Sequence, residues 1–253
     1  MVFLKKIGKV ILTGSGDPES ITLKTFRYMR NADIVLTDRL VSQDILKYYL
    51  NPASLVIHVG KECVNKKSIP QTYTNDFMVR NSLKGKLVLR IKGGDVSIFS
   101  NIIAELDVLI QCHIPYEIIP GVTSASVSSA CFGIPLTARG YSSGIRLLTY
   151  YHHNLIQDYQ WKDLAETDDT LVFYMVKNID KLIKYLLKYG ISRGKKLAII
   201  EQAGTPSQYI RTKDLFASLS SNVKRRTPYL AIIGRVVKFH RYFQWVTKNF
   251  YKI

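Results

Sequence analysis

Apolar runs alternate with amphipathic segments along the first half of the chain. Short apolar runs, such as 10–13, 33–37 and 87–91, predict buried strands, and the longer segment 71–83 predicts a helix. Strands and helices alternate in this way up to residue 119, which is typical of a parallel sheet with crossover helices. Residues 1–119 are therefore predicted to form an N-terminal α/β domain.

The pattern changes at Pro120 and Gly121, which follow a predicted strand and mark the best domain boundary in the chain. Small residues over 123–130 predict a closely packed helix, and helical spacing recurs at 179–189 and near Leu215. Residues 120–238 are predicted to form a second α/β domain of mixed strands, with a ligand cleft between the two domains. Its predicted strands are 145–150, 170–174, 196–201 and 229–233.

Residues 239–253 form an aromatic and basic tail beyond this pattern. Two arrangements suit such a segment: a helix lying on a membrane surface, or packing against the second domain or a partner subunit. We expect the second arrangement.

The chain carries a formal net charge of +17 and a pI near 9.7. This charge attracts polyanions, and both nucleic acids and metabolites with many carboxylates belong to that class. The basic residues are scattered, however, and no RNA-binding signature accompanies them. The preferred explanation of the high net charge is therefore a biased base composition of the gene, which favours lysine codons. Nucleic acid is not the expected partner.

Cysteine spacing and hydropathy exclude several classes of protein. Cys63, Cys112 and Cys131 contain no C-x-x-C pair, so neither a disulfide framework nor a metal site is predicted. No apolar stretch approaches the ~20 residues needed to cross a bilayer. We therefore expect a cytoplasmic protein without a membrane span.

The most informative motif is Lys-Gly-Gly-Asp at 92–95, directly behind the apolar run 87–91. Two glycines leave the turn without Cβ atoms, so main-chain groups can approach a ligand closely. Ligands of open α/β sheets bind where strands end. The motif also fits a plain tight turn, and both interpretations stay open on this segment alone.

Other polar residues follow predicted strands in the same way. Residues 14–19 fail the dinucleotide-binding pattern, because its third glycine would fall on Glu19. Asp38 suits a general base or a helix N-cap, and Lys61 suits either a side chain at the carboxyl edge of the sheet or a solvated surface lysine. Their common position beyond strands indicates a site at one edge of the sheet.

Read in order, these segments resemble the tetrapyrrole methylases, most closely the members that act on uroporphyrinogen III. The resemblance spans roughly residues 8–238, and Asp-Arg-Leu-Val-Ser at 38–42 and Ser-Ile-Pro-Gln at 68–71 are its most specific parts. The other matching segments are 16–19, 22–24, 59–61, 92–95, 120–125, 133–137, 174–175, 204–206 and 234–237.

The resemblance implies two α/β domains that enclose S-adenosylmethionine in the cleft between them, and a homodimer. It implies methylation of uroporphyrinogen III at two ring carbons to give precorrin-2, towards siroheme or cobalamin. Asp38 would accept a proton and Lys61 would donate one. By their charge, Lys24, Arg39 and Arg139 suit either contacts with substrate carboxylates or solvated surface positions. The implied cofactor contacts are Ser15, Gly93, Gly94, Asp95, Ile98, Thr123, Ser124, Met175, Gly204 and Pro228.

The chain also departs from the family pattern. Residues 99–104 read Phe-Ser-Asn-Ile-Ile-Ala where the family has Phe-Gly-Arg-Gly-Gly-Glu, and Arg235 stands in place of a glutamate. The alternatives are another precorrin methyltransferase, a degenerate binding protein without activity, and an RNA-directed methyltransferase or RNA-binding protein, which charge alone would favour.

Overall fold

A computed structural model describes residues 7–60, 69–151, 156–215 and 229–245 of the 253-residue chain. The chain divides into two compact units, Met1–Thr123 and Ser124–Ile253. Within the described ranges, every helix is too short or too polar to span a bilayer.

The first unit is a five-stranded sheet in which all strands are parallel, in the order β3-β2-β4-β1-β5. This confirms the parallel sheet that the alternating pattern predicted. The strands are β1 Lys9–Ser15, β2 Ile34–Thr37, β3 Leu55–His58, β4 Leu87–Gly93 and β5 Tyr116–Ile119, and the helices are α1 Leu23–Asn31, α2 Gln43–Tyr49, α3 Gln71–Leu83 and α4 Ile103–Gln111.

Local sequence signals set the ends of these helices, and alternation in β4 sets the two faces of the sheet. Thr22 and Ser42 cap α1 and α2, each accepting a hydrogen bond from a main-chain N–H of the first turn. Val88 packs into the apolar cluster beneath α3 and α4, whereas Leu89 packs into the cluster on the opposite face. Both faces of the central strand are therefore buried, as parallel sheets require.

The second unit contains a mixed sheet in the order β6-β7-β10-β8-β9, as the sequence predicted for its strand type. Trp161 and Tyr185 stack at 5.0 Å between ring centroids in its apolar core. Its elements are α5 Ser124–Phe132, β6 Ile145–Thr149, α6 Asp158–Glu166, β7 Thr170–Tyr174, α7 Ile179–Lys188, β8 Lys196–Glu201, β9 Tyr209–Asp214, β10 Tyr229–Gly234 and α8 His240–Phe243.

The apolar pattern missed α6 and β9. β9 is an edge strand with charged residues at 211, 213 and 214, so it lacks the apolar run of a buried strand. Leu215 lies in a turn after β9 and not in the helix predicted near it, and the other positions of that prediction, within 216–228, lie outside the described residues.

The described part of the tail, residues 239–245, lies against α5 within the second unit. Trp245 Nε1 donates to the carbonyl oxygen of Ala130 at 2.7 Å, and Phe239 stacks on Phe243 at 5.3 Å. The imidazole Nδ1 of His240 lies 2.6 Å from the carbonyl oxygen of Phe132. These contacts tie this part of the tail to the body of its own unit.

Candidate active site

Several predicted site residues of the first unit lie at one edge of its sheet. β1, β2, β4 and β5 run parallel, so the residues at their carboxyl ends share that edge. Ser15 is paired in register with Gly93, and Thr37 with Ile91. The edge therefore brings Ser15, Asp38 and the Gly93–Gly94–Asp95 segment together, as the sequence led us to expect of parallel strands.

Three glycines from different strand ends meet main chain to main chain at this edge. A Cβ atom on Gly14 would lie 2.2 Å from the carbonyl oxygen of Gly94, and one on Gly121 would lie 2.3 Å from the same oxygen. Gly94 itself has φ +79°, a conformation that favours glycine. We call Gly14, Gly94 and Gly121 the glycine contact. It leaves no room for side chains where β1, β4 and β5 end.

Asp95 connects two of these strand ends through its carboxylate. One oxygen accepts from the Gly121 N–H at 2.9 Å, and the other accepts from the Ser97 N–H at 2.7 Å. The Ile98 N–H donates to the Asp95 carbonyl oxygen at 3.3 Å. Both carboxylate oxygens therefore hold the loop in shape, and the Asp95 side chain is committed to that loop.

Ser15 has a similar local role. Its hydroxyl donates to the Lys92 carbonyl oxygen at 3.1 Å, and its own carbonyl oxygen accepts from the Gly94 N–H. Ser15 is 2% exposed, which leaves little of its side chain available for a ligand.

Asp38 follows β2 and its side chain is 27% exposed. Its Oδ1 accepts a hydrogen bond from Arg90 at 2.9 Å. Within the described residues, Oδ2 has no hydrogen-bond partner. Asp38 is thus a partly exposed carboxylate with one oxygen fixed and the other available.

A buried cluster of charges lies beneath Asp38 on the α3–α4 face of the sheet. Arg90 Nε donates to Glu105 Oε1 at 3.0 Å, and Lys92 Nζ lies 2.7 Å from Glu105 Oε2. Lys92 also donates to the Ser100 carbonyl oxygen at 2.7 Å. We call Asp38, Arg90, Glu105 and Lys92 the charge cluster. Its formal charges balance, as buried ions require.

The loop after Asp95 has an unusual backbone. Phe99 has φ +53° and Asn101 has φ +54°, in the left-handed region that non-glycine residues seldom adopt. This is the segment where the chain departs from the family pattern. The hydrogen bond from the buried Lys92 Nζ to the Ser100 carbonyl oxygen stabilises the conformation of this loop.

In the second unit, Met175 and Gly204 lie at one sheet edge. β7 and β8 are both antiparallel to β10, so their carboxyl ends lie on the same side as the start of β10. Met175 follows β7 with φ +52°, and Gln202 follows β8 with φ +50°. Residues other than glycine that adopt the left-handed conformation are found most often at functional sites, where the surrounding structure stabilises that conformation.

Ser124 also lies near this edge. The Ala125 N–H, in the first turn of α5, donates to the Tyr174 hydroxyl at 3.2 Å. Tyr174 ends β7 directly before Met175, so the start of α5 is adjacent to that strand end. Thr123, the last residue of the first unit, immediately precedes this helix.

The candidate substrate residues are exposed to different degrees and have different partners. Lys24 forms an ion pair with Glu117, which also accepts from Tyr28 at 2.8 Å. Arg39 is exposed next to Asp38, and Arg139 is exposed in a turn of the second unit. Lys61 and Pro228 lie outside the described residues.

The pKa of Glu117 is lowered to about 2, because its carboxylate accepts hydrogen bonds from Lys24, Lys9 and Tyr28. Glu117 lies on the edge strand β5, and this group of contacts joins that strand to β1 and α1. In this structure the Lys24 ammonium therefore pairs with the carboxylate of Glu117 in the same unit.

Sequence reasoning missed Arg90 and Glu105. A signal was present, because Arg90 and Lys92 alternate with Leu89 and Ile91 in a strand otherwise made of apolar residues. Charges inside a central parallel strand need buried partners. The partner Glu105 could not be identified from spacing, since it lies in another element. Within the described ranges, the structure contains no group of three or more His, Cys, Asp or Glu side chains that could hold a metal ion.

Comparison with known proteins identifies the family. The family model for tetrapyrrole (corrin/porphyrin) methylases matches residues 10–217. Siroheme synthase from Saccharophagus degradans is 36% identical over 248 residues, which cover 96% of this chain and 54% of that protein. Siroheme synthase from Nitrosomonas europaea is 37% identical, over 94% of this chain and 51% of that protein. The chain thus spans about half the length of these curated relatives.

Solved structures agree with this result. Uroporphyrin III C-methyl transferase from Thermus thermophilus is 32% identical with a TM-score of 0.75, and the match covers 91% of this chain and 99% of that one. A structure of the Thermus enzyme with S-adenosyl homocysteine is 31% identical, also with a TM-score of 0.75, over 91% of this chain and 94% of that one. Cobalt precorrin-4 methyltransferase, at 23% identity and a TM-score of 0.79, covers 90% of this chain and 95% of its own, and shares the fold.

Proposed function

The chain belongs to the tetrapyrrole (corrin/porphyrin) methylase family, and from this premise we propose that it methylates uroporphyrinogen III. The methyl donor is S-adenosylmethionine, and the product is precorrin-2, formed by methylation at two ring carbons. Support comes from the Thermus relative, which the chain matches over almost its whole length, and from the relative solved with S-adenosyl homocysteine.

The observation that carries the proposal is Asp38, a partly exposed carboxylate beside a loop of bare main chain. Oδ1 is held by Arg90 at 2.9 Å, which leaves Oδ2 to exchange a proton with a substrate. Gly93 and Gly94 leave the adjacent strand end as bare main chain, whose N–H and C=O groups can contact a ligand directly. These features fit the methyl donor, because the edge combines an available carboxylate oxygen with a loop of fixed shape.

When bound, S-adenosylmethionine supplies a methyl group on a positively charged sulfur, which is already electrophilic. The protein must then align a ring carbon and exclude water. The ring carbon already carries a side chain and has no proton of its own, so methylation leaves a cationic macrocycle. That macrocycle must lose a proton from a ring N–H or a bridging methylene, and Oδ2 of Asp38 accepts it. Lys61 remains our proposed proton donor on the resemblance, and it lies outside the described residues.

The remaining predicted contacts keep distinct roles in this proposal. Gly93, Gly94 and Ile98 contact the donor through their main chain, and Asp95 keeps the loop in shape, because both its carboxylate oxygens are occupied. In the second unit, the proposed donor contacts are Ser124, Met175 and Gly204, with Thr123 before them and Pro228 outside the described residues. Ser15 contributes its backbone.

Substrate carboxylates are assigned to exposed basic residues of each unit. Arg39 is the stronger candidate of the first unit, since it is exposed and adjacent to Asp38, whereas Lys24 already pairs with Glu117. Arg139 is the candidate of the second unit. A homodimer in the cytoplasm completes the proposal on the family resemblance, and analytical ultracentrifugation of the purified chain tests the dimer.

The test is anaerobic incubation of the purified chain with uroporphyrinogen III and methyl-labelled S-adenosylmethionine, followed by mass analysis of the tetrapyrrole. We expect two added methyl groups. Asp38→Asn keeps the size of the side chain but removes the base, so turnover should fall ~10²–10⁴-fold. Binding of S-adenosyl homocysteine, measured by calorimetry, should stay within about twofold of wild type.

Asp44→Asn is the matched control, because Asp44 is an exposed acid on the neighbouring helix α2. It should leave turnover unchanged. Wild-type protein that binds S-adenosyl homocysteine but transfers no methyl group to uroporphyrinogen III would show that the substrate assignment is wrong.

A further inference from the structure

Arg90 is placed where stability alone gives a poor reason for a charge. Its side chain is 6% exposed and stands on β4 at the centre of the sheet. A buried ion pair is often no more stabilising than apolar residues of the same volume, because both ions lose their hydration. Its neighbour on the same face of β4, Val88, is apolar. The charge therefore appears in β4 only near the edge that bears Asp38.

Three hydrogen bonds fix the guanidinium of Arg90 in one orientation. NH2 donates to Asp38 Oδ1 at 2.9 Å, Nε donates to Glu105 Oε1 at 3.0 Å, and NH1 donates to the Ile91 carbonyl oxygen at 3.0 Å. Glu105 is fully buried and is itself paired with Lys92. A planar guanidinium that Glu105 and the Ile91 carbonyl oxygen also hold is a rigid support for the Asp38 carboxylate.

We propose that Arg90 is a positioning residue for Asp38. It holds Oδ1 so that Oδ2 points where the substrate proton is released, and Glu105 holds Arg90 in turn. This inference rests on the proposed function, since it assigns Arg90 an effect on the proton-transfer step. It adds a residue of the central strand to the site and gives the charge cluster a role in turnover.

A double-mutant cycle between Asp38 and Arg90 tests the proposal. Arg90→Lys keeps the charge balance of the cluster, but one ammonium cannot reproduce the fork that reaches both Asp38 and Glu105. We expect its kcat to fall ~10–100-fold, since a small misplacement of a reacting group is costly. The KM for S-adenosylmethionine and the affinity for S-adenosyl homocysteine should stay within about twofold.

The decisive comparison uses the Asp38→Asn background. If Arg90 acts through Asp38, Arg90→Lys should lower the residual rate of Asp38→Asn by less than about twofold, because residues that act as a unit are not additive. Equal fold-losses of kcat in the two backgrounds would overturn the inference and leave the proposed function intact. A wild-type chain without methyl transfer would overturn both.

Arg80→Lys is the control, because Arg80 also pairs with a carboxylate, Asp76, but on the exposed surface of α3. It should leave kcat unchanged. If circular dichroism shows that Arg90→Lys does not fold, Glu105→Gln replaces it. A neutral amide oxygen holds Arg90 Nε less strongly than the carboxylate does, and the Asp38 contact stays in place. A kcat loss for Glu105→Gln that persists unchanged in Asp38→Asn would count against the proposal.

Discussion

The two units place their largest groups of paired charges at opposite ends of their strands. In the first unit, Arg90 and Lys92 lie at the carboxyl end of β4, beside Asp38. In the second unit, Arg146 and Asp169 pair near the start of β6 and β7, and Lys195, whose pKa is lowered by burial, donates to carbonyl oxygens just before β8. The same fold class thus places the larger charge cluster of the first unit at the candidate site and that of the second unit away from Met175 and Gly204. The pair formed by Arg211 and the buried Glu201 lies at the end of β8, on the Gly204 side.

The candidate-site edges also differ in backbone. The first unit has glycine where three strand ends meet, and its left-handed residues Phe99 and Asn101 lie further along the loop after Asp95. The second unit has left-handed Met175 and Gln202 directly after β7 and β8. The difference indicates that the first edge is built for close approach and acid–base chemistry, whereas the second is shaped by held backbone conformations. Substitutions at each edge test this distinction.

The largest effect is expected at the glycine contact. Gly14→Ala would place a methyl group 2.2 Å from a main-chain oxygen, so the strand ends must move apart. We expect a loss of ~2–3 kcal/mol in the free energy of unfolding, as for overpacked cores. Urea unfolding measures this loss, and calorimetry should show at least tenfold weaker binding of S-adenosyl homocysteine.

Gly190→Ala in the second unit is the matched control for that variant. Gly190 has φ +81° but no heavy atom within 4 Å of the added Cβ, so only the backbone conformation is penalised, by about 1 kcal/mol. Ligand binding should not change. Equal effects of the two substitutions on binding would contradict a special role for the glycine contact.

A smaller effect of opposite sign is expected at Met175. Met175→Gly relieves the left-handed strain of φ +52°, which should raise the free energy of unfolding by up to about 1 kcal/mol. The Met175 side chain is 49% exposed, so little packing is lost. A thermal melt should therefore show a slightly higher Tm, while S-adenosyl homocysteine binds more weakly. A lower Tm would mean that the Met175 side chain stabilises the fold.

The smallest effect concerns the acid dependence of the first unit. The pKa of Glu117 is about 2 in the folded chain and ~4.3 for an unperturbed glutamate, so its contacts stabilise above that higher value. This contribution is lost as the pH falls from ~4.3 towards 2. Glu117→Gln should lower the Tm at pH 6 by ~1–3 °C, and the difference from wild type should vanish near pH 2.

Glu19→Gln serves as the control for this pH series, because Glu19 is an exposed acid in the short 3-10 helix, Pro18–Ser20, that follows β1 in the same unit. It should give a Tm difference that is small and independent of pH. A Glu117→Gln difference that persists unchanged at pH 2.5 would contradict the ionic basis of these contacts.

Much of the fold could be predicted because a buried strand appears in the sequence as a short continuous run of apolar residues. The apolar run at 87–91 lies inside β4, and Tyr116–Ile119 and Thr170–Tyr174 have the predicted bounds. Edge strands are harder, because solvent reaches them and the apolar pattern weakens, as in β9. The apolar run predicts that the first strand ends at residue 13, whereas the register with Lys92 and Gly93 extends β1 through Gly14 and Ser15.

The site was only partly predictable, for a different reason. That Asp38 and Gly93 share an edge follows from parallel strands, which sequence alone indicates. The partners of each side chain depend on residues brought from elsewhere: Glu105 reaches Arg90 from α4, and Gly121 reaches Asp95 from the end of β5. Such contacts are decided by packing and leave no periodic signal.

The glycine contact also has a consequence for building chimeric enzymes. Gly14, Gly94 and Gly121 contact one another through main-chain atoms, and the Asp95 carboxylate accepts a hydrogen bond from Gly121 after β5. The conformation of each of these three loops therefore depends on the other two. Exchanging a single loop with that of a relative would import a backbone that its neighbours do not match. A successful graft must transfer all three strand ends together.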